Sequence, residues 1–546
     1  MATISATCTN LHPVDHRRPE QQPLTGRRRR LLISAPPPKN MSAACAFRCD
    51  LQQQQQQQQQ KRQQRGARPR HVIVPSAATT EPPQTAGSVV GDMERGSLAE
   101  KSGRSDGQLA ARWREIHGSS NWDGLLDPID TVLRGELIRY GEFAQACYDA
   151  FDYDRFSRYC GTSRYPPPAL FHGVGLAGVG YEVTRYLYAT SPAKLPSFSE
   201  RKHRSADPDA RLWSETASFI GFVAVSTDEE TARIGRRDIA VAWRGTVTRL
   251  EWVADLTAAP KPVTQFGIPC PDPLVKVESG FAELYTGKDA ECRWSRYSAR
   301  EQVLAEVRKL VERYHVGNGE EVSVTVTGHS LGAALATLSA FDVAETRANV
   351  SSDGRAAPVC VFSYSGPRVG NTRFRARFER DLGVKALRVV NVHDVVPTVP
   401  GVFYVFDERT FPEAVLRAVD AAGLGAVYVH LGVLLALDHK VSPFLKDTMD
   451  LACFHNLEAH LHLLDGYQGR EQGFRPCGRD PALVNKAADF LRDEHMVPPE
   501  WRQDENKGMV RTEDGRWVLP PRDREVHQHP EDTDQHLQQL GLTPIN

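Results

Sequence analysis

Val322-Ser323-Val324-Thr325-Val326-Thr327-Gly328-His329-Ser330-Leu331-Gly332-Ala333-Ala334-Leu335-Ala336-Thr337-Leu338 carries one serine across the junction of two unlike patterns. Residues 322–327 alternate valine with small polar residues, which predicts a strand. Residues 333–344 are rich in alanine and leucine and free of glycine and proline, which predicts a helix. Gly328 and Gly332 lie two residues either side of Ser330, where side chains would crowd a sharp strand-to-helix reversal. Such a turn holds a serine hydroxyl clear of a sheet edge, and the helix that follows presents free N–H groups to an oxyanion. A bare G-x-S-x-G arises by chance about 0.1 to 0.2 times in a chain of this length. The strand before it and the helix after it give the motif its weight, because a purely structural turn has no need of the serine.

Outward from this stretch the body alternates strands and helices. Strands are expected at Ser218–Val225, Asp238–Trp243, Val359–Tyr364 and Ala386–Val392, with helices over Val303–Tyr314 and around Phe374–Leu382. A long helix is expected within Trp113–Tyr165, where Ile129, Val132, Leu133, Leu137, Tyr140, Ala144 and Tyr148 recur at helical spacing. Asp127-Pro128 stands where its cap and first-turn proline belong. Alternation of this kind predicts an α/β fold with a mostly parallel central sheet flanked by helices, and the serine turn makes it an α/β-hydrolase fold. Reactive groups then gather at the carboxyl ends of the strands.

A serine of this type needs a base and an acid, in chain order serine, acid, histidine. Asp394 follows strand 386–392 in His393-Asp394-Val395-Val396-Pro397 and is the candidate acid; an Asx turn is the plainer alternative for it. Five later histidines are candidates for the base: His430, His439, His455, His460 and His462. His455 opens an expected helix and is preferred over His460 and His462. The strand ending at Trp243 runs into Arg244-Gly245-Thr246, so the backbone N–H groups of Thr246 and Leu331 are candidates for an oxyanion hole.

The 546-residue chain has 67 basic and 68 acidic residues, a balance that hides an asymmetry. Residues 1–80 hold 13 basic residues against Asp15, Glu20 and Asp50, a net of +10, which leaves −11 for the rest. The body is mildly acidic and is not expected to bind nucleic acid. Residues 1–80 also contain Arg27–Arg30, Pro36–Pro38 and the glutamine run Gln52–Gln60, and cannot bury a core. Rich in Arg, Ser, Thr and Ala and poor in acids, this segment is expected to be a disordered transit peptide for the chloroplast, with the mitochondrion as alternative. Residues 81–107 are expected to be a linker, 108–520 the catalytic domain and 521–546 a tail. The ten scattered cysteines show no metal-ligand spacing and are expected to be free thiols, and no metal or cofactor is expected. The longest apolar run, Ala421–Leu437, is interrupted by Tyr428 and His430 and is short for a bilayer. Leu250–Val275 mixes Trp252, Val253, Leu256, Ala258, Ala259, Phe266 and Ile268 with five prolines, and part of it is expected to lie over the site mouth as an apolar lid, with simple core packing the alternative.

These motifs together resemble the plant class 3 lipase family, and within it the plastid phospholipase A1 group. The resemblance is carried by Trp113-Arg114-Glu115-Ile116-His117-Gly118, Arg139-Tyr140-Gly141-Glu142, Gln145 to Asp152, Trp243-Arg244-Gly245-Thr246 and Gly328-His329-Ser330-Leu331-Gly332. It continues through Asn391 to Pro397 and His455-Asn456-Leu457-Glu458. It implies Ser330, Asp394 and His455 as a catalytic triad, Thr246 and Leu331 as the oxyanion hole, and hydrolysis of the sn-1 acyl ester of phospholipids and galactolipids. Some triacylglycerol hydrolysis and a supply of linolenate for jasmonate synthesis are also implied, with membrane lipids as partners through peripheral contact. Two positions depart from the family: His460, where an aromatic residue is usual, and Glu278, where a histidine is common. A non-catalytic lipase-fold protein that binds a lipid or signalling partner is the alternative; such proteins usually lack a triad member.

Overall fold

The structure, a computed structural model, describes residues 108–152, 161–190, 217–246, 260–290, 292, 294–400, 427–503, 507–508, 510–511 and 517–518. The expected transit peptide, linker and C-terminal tail lie outside the described residues, as do Trp252, Val253, Leu256, Ala258 and Ala259.

Seven strands form one sheet in which spatial order equals chain order: β1 (Tyr181–Thr190), β2 (Ala217–Ser226), β3 (Arg237–Trp243), β4 (Val322–His329), β5 (Val359–Tyr364), β6 (Lys385–Asn391) and β7 (Val433–Leu437). β1, β2 and β3 pair antiparallel, and β3 through β7 pair parallel. When parallel neighbours follow one another in a single direction, right-handed crossovers put every connecting helix on the same face. One face is accordingly covered by α2 (Ser279–Thr286), α3 (Ala299–Glu312), α4 (Leu331–Glu345) and the helical stretch from Thr372 to Asp381. The other face has to be covered by helices from outside the crossovers. That role falls to α1 (Thr131–Ala150), which precedes the sheet, and α5 (Leu457–Gly466), which follows it.

The alternation in β4 divides cleanly between these layers. Val322, Val324 and Val326 join the α2–α4 core, whereas on the α1 face Ser323 and Thr325 donate to Asp238 of β3 and Thr327 donates to Tyr140 O of α1. α4 is buried along most of its length, which suits its small residues. α3 begins with a capping box in which Ser298 and Glu301 satisfy each other's backbone N–H groups.

One expectation needs correction, the cap of the long helix, which is α1 and follows a short helical stretch at residues 108–116 and turns over residues 117–130. Its cap is Asp130, whose Oδ1 accepts the N–H groups of Val132 at 2.8 Å and Leu133 at 3.1 Å. Asp127 instead accepts the Arg470 N–H, at 3.0 Å. Among the described residues no helix is long and apolar enough to cross a membrane, and Cys147, Cys270, Cys292, Cys360, Cys453 and Cys477 are free thiols.

Candidate active site

Ser330 sits between β4 and α4 with φ 60° and ψ −128°, a conformation that costs a non-glycine residue about 1–3 kcal/mol and persists where the surroundings enforce it. The enforcement is visible. The Ser330 N–H donates to Tyr364 O on β5 at 3.0 Å, and Ser330 O accepts the Ala333 N–H at 3.0 Å. A Cβ on Gly328 would lie 2.2 Å from Gly332 O, and one on Gly332 would lie 2.4 Å from Trp243 O. Both glycines are therefore required by close backbone approach, and the elbow is wedged against the end of β3.

That wedge brings the expected oxyanion loop alongside the serine. A Cβ on Gly245 would stand 3.2 Å from Ser330 Cβ and 2.6 Å from His329 O. Thr246 follows directly on this loop, and Leu331 opens α4 directly after the serine. Arg244 anchors the loop from behind: it is buried, donates to Phe219 O at 3.0 Å, Gly245 O at 2.8 Å and Ser218 Oγ at 3.2 Å, and lies 3.9 Å over the Phe151 ring. Burial pushes its guanidinium down to about 10.

Asp394 lies in the turn after β6 and divides its two oxygens between two tasks. Oδ1 accepts the Val396 N–H at 2.9 Å, forming the Asx turn, and Oδ2 accepts the His455 Nδ1–H at 2.6 Å. The turn and the imidazole contact are thus compatible readings of one residue. His455 is 7% exposed, and its Nε2 is buried with no hydrogen-bond partner among the described residues. An anchored imidazole with its far nitrogen unsatisfied is the arrangement a general base requires.

The other candidate histidines are occupied differently. His460 donates from Nδ1 to Asn456 O at 2.8 Å and accepts at Nε2 from Ser365 Oγ at 2.6 Å and the Asn391 N–H at 3.3 Å. His462 Nε2 accepts from Ser442 Oγ at 2.9 Å, and burial pushes its imidazole down to about 4. His430 donates to Pro397 O at 2.7 Å. His439 is buried and pushed down to about 4, by burial first and the neighbouring His393 second.

Two site residues escaped the sequence reading. His329, the variable residue before the serine, donates from Nε2 to His455 O at 2.8 Å, and its ring lies 4.5 Å from the His455 ring. Burial, reinforced by His455 and His460, holds His329 well below its ordinary pKa, so it is neutral and its Nδ1 accepts from Tyr148 Oη at 2.9 Å. Tyr148 comes from α1, whose other ring contacts are part of the core. The only signal in the sequence was a histidine where the motif tolerates any residue.

The lid expectation is corrected where it can be checked. Lys261–Pro262 pairs with Lys276–Val277 in a short ribbon, and Ile268 is fully buried with Val263, Val275, Val277 and Phe281 on the α2 side of the sheet, with Phe266 packed against the same cluster. These side chains fill a core and do not cover the site. Glu278 is also structural: it caps α2 by accepting the Phe281 N–H at 2.8 Å, and burial raises its pKa.

A strained elbow serine, a carboxylate-anchored imidazole and a sheet of this order define the serine hydrolases of the α/β-hydrolase fold. The chain belongs to the class 3 lipase family, whose model, lipase (class 3), matches residues 240–404, and it is a carboxylic ester hydrolase acting on acyl esters. It is 58% identical over 453 residues to phospholipase A1-Igamma1, chloroplastic, of Arabidopsis thaliana, covering 81% of this chain and 86% of that one. It is 46% identical over 407 residues to phospholipase A1 EG1, chloroplastic/mitochondrial, of Oryza sativa subsp. indica, covering 74% and 85%. Chloroplast localisation follows from these relatives. Among solved structures it is similar to the Lip2 lipase of Yarrowia lipolytica, at 15% identity and a TM-score of 0.35 over 57% of this chain and 81% of that one.

Proposed function

We propose that the protein hydrolyses the sn-1 acyl ester of phospholipids and galactolipids, with Ser330 as nucleophile, His455 as base and Asp394 as its orienting acid. The observation that carries this reading is the His455 imidazole, held at Nδ1 by Asp394 at 2.6 Å and unpartnered at Nε2, at the strand ends that carry Ser330. His455 Nε2 takes the Ser330 hydroxyl proton as Oγ adds to the acyl carbonyl, and the Thr246 and Leu331 N–H groups receive the oxyanion. His455 then returns the proton to the departing glycerol oxygen, which releases the lysolipid. A water, deprotonated by the same imidazole, frees the fatty acid and restores Ser330.

The relatives named phospholipase A1 support the substrate class, and the acid-poor, basic residues 1–80 support a removable transit peptide. Peripheral contact with a lipid surface, some triacylglycerol hydrolysis and a supply of linolenate for jasmonate synthesis belong to the same reading. The test is to incubate the purified protein with phosphatidylcholine, monogalactosyl lipid and triacylglycerol of defined acyl composition and to identify the products. Release of the sn-1 chain with a 2-acyl lysolipid is expected. Release from sn-2 alone, or turnover of soluble esters only, overturns the proposal.

A further inference from the structure

At the carboxyl ends of β6 and β7, beside the triad acid but separate from it, His393, Asp438 and His439 each bring one ligand atom to within 4.8 Å of the others. His393 Nε2 already lies 3.1 Å from Asp438 Oδ1, and the rings of His393 and His439 stand 4.6 Å apart, edge to face. Ligand atoms around a tetrahedral Zn²⁺, with bonds of about 2.0–2.1 Å, are roughly 3.3 Å from one another, so one edge of such a site exists and the third ligand is a small side-chain movement away. His439 is 2% exposed, and its Nε2 is buried without a hydrogen-bond partner among the described residues. A buried polar atom left unsatisfied costs stability and calls for an explanation, such as a ligand. His393 and Asp438 have side chains 31% and 41% exposed, which leaves a path for an ion to enter.

We propose that His393, Asp438 and His439 form a binding site for a Zn²⁺-class divalent cation. Two imidazoles and one carboxylate form a donor set suited to zinc and to its tetrahedral stand-in Co²⁺, and three protein ligands leave a fourth position to water. Asn391 serves as the outer sphere. Its Oδ1 lies 3.4 Å from His439 Nδ1 and 3.4 Å from the His393 N–H, and its Nδ2–H donates to Phe454 O at 3.1 Å. His439 also stacks on Phe454, at 4.6 Å between ring centroids. The ion would therefore clamp the turn that carries Asp394 to the turn after β7, whose His439 stacks on Phe454 next to His455, with stabilisation of the folded chain as the consequence.

Chelator-treated full-length protein titrated with Co²⁺ should develop a visible d–d band that saturates at one equivalent and is abolished by Zn²⁺. Zn²⁺ at about a hundredfold excess over its Kd should raise the unfolding midpoint by about 3–4 °C. His393→Gln should weaken binding by more than about a hundredfold, beyond the 10–100-fold typical of an outer-sphere partner. Asp438→Asn should weaken it as well while keeping the turn, since an asparagine oxygen can still accept the Lys440 N–H that Asp438 accepts at 2.9 Å. Metal-free unfolding midpoints matching the parent's establish that both variants fold. A missing band, a band unchanged in both variants, or a thiolate charge-transfer band that reports cysteine ligation each overturns the site.

Discussion

The two ends of strands β3 and β4 treat buried polar groups in opposite ways. At the amino end, Asp238 is fully buried and accepts four hydroxyls: Tyr140 at 2.8 Å, Tyr181 at 3.0 Å, Ser323 at 2.6 Å and Thr325 at 2.6 Å. Beside it Arg236 donates to Ser323 Oγ at 2.9 Å and to His117 Nε2 at 2.6 Å, and burial together with Arg236 holds His117 neutral. At the carboxyl end, Ser330 is strained and His455 Nε2 has no partner. A saturated network fixes geometry and has nothing left to give, whereas an unsatisfied nitrogen held in place can take a proton. The difference separates scaffold from chemistry within about 20 Å, the length of a strand of this size.

The comparison breaks most visibly at the serine. Ser330→Ala should lower ester hydrolysis by about four to six orders of magnitude while leaving the unfolding free energy within about 1 kcal/mol of the parent, because both glycines of the elbow remain. Hydrolysis within tenfold of the parent would remove Ser330 from the mechanism. At the opposite end, Asp238→Asn should do the reverse. An amide oxygen cannot accept four hydroxyls, and the change removes one of the two carboxylates beside Arg236, leaving Glu136 at 3.5 Å, so a loss of about 3 kcal/mol is expected in denaturant titration. Turnover per active site, counted by titration with a covalent serine reagent, should stay within about twofold. A fall in turnover without a fall in stability would erase the distinction between the two ends.

How much of this was legible follows from what each pattern depends on. The strand–serine–helix junction, the strand 359–364 and the acid after β6 rest on local periodicity and turn chemistry, and the structure shows them where they were expected. The choice of His455 over its neighbours was only a preference, because which nitrogens are already satisfied depends on residues 60 to 95 positions away, such as Asp394 and Ser365. β1 was missed. Its sequence mixes Glu182, Thr184 and Arg185 with aromatics, and its pairing with β2 slips in register twice, so no clean alternation survives. The apolar side chains of Phe266 and Ile268 were read as a lid because composition alone cannot tell which surface an irregular loop packs on.

That misreading supplies a third region for the comparison, buried and apolar with no chemistry near it. Ile268→Ala should cost about 2–4 kcal/mol of stability, as for other core truncations, and should reduce hydrolysis of aggregated lipid and of a short soluble ester in equal proportion. A selective loss on aggregated lipid would return this loop to the role of a lid.

Acid sharpens the contrast further. His462 is pushed down to about 4 in the folded protein, against about 6.5 when unfolded, so between those values the unfolded chain binds more protons and stability rises with pH. Lowering the pH from 6.5 to 4 should therefore remove about 2–3 kcal/mol through this residue, with His460 and His329 acting in the same direction. In His462→Gln, which cannot titrate, the slope of unfolding free energy against pH over this window should be visibly shallower. An unchanged slope would mean that the buried imidazole is not a source of acid lability.

The smallest effect tests the link between scaffold and chemistry. Tyr148 on α1 donates to His329 Nδ1, and His329 Nε2–H in turn donates to His455 O, so the base is steadied by a chain that begins in the helical layer. A Cβ on Gly245 would stand 2.2 Å from the Tyr148 hydroxyl, so the same group also borders the oxyanion loop. Tyr148→Phe deletes one hydroxyl and leaves the His329 acceptor buried and unsatisfied, at a cost of about 1 kcal/mol or slightly more. The ring and its packing stay, and no atom that bonds to substrate is lost. The expected result is therefore a fall in kcat of about three- to tenfold on a soluble ester, with KM nearly unchanged. If KM rises and kcat holds, Tyr148 shapes the substrate groove instead. If neither moves, the chain of hydrogen bonds from α1 to His455 does not steady the base.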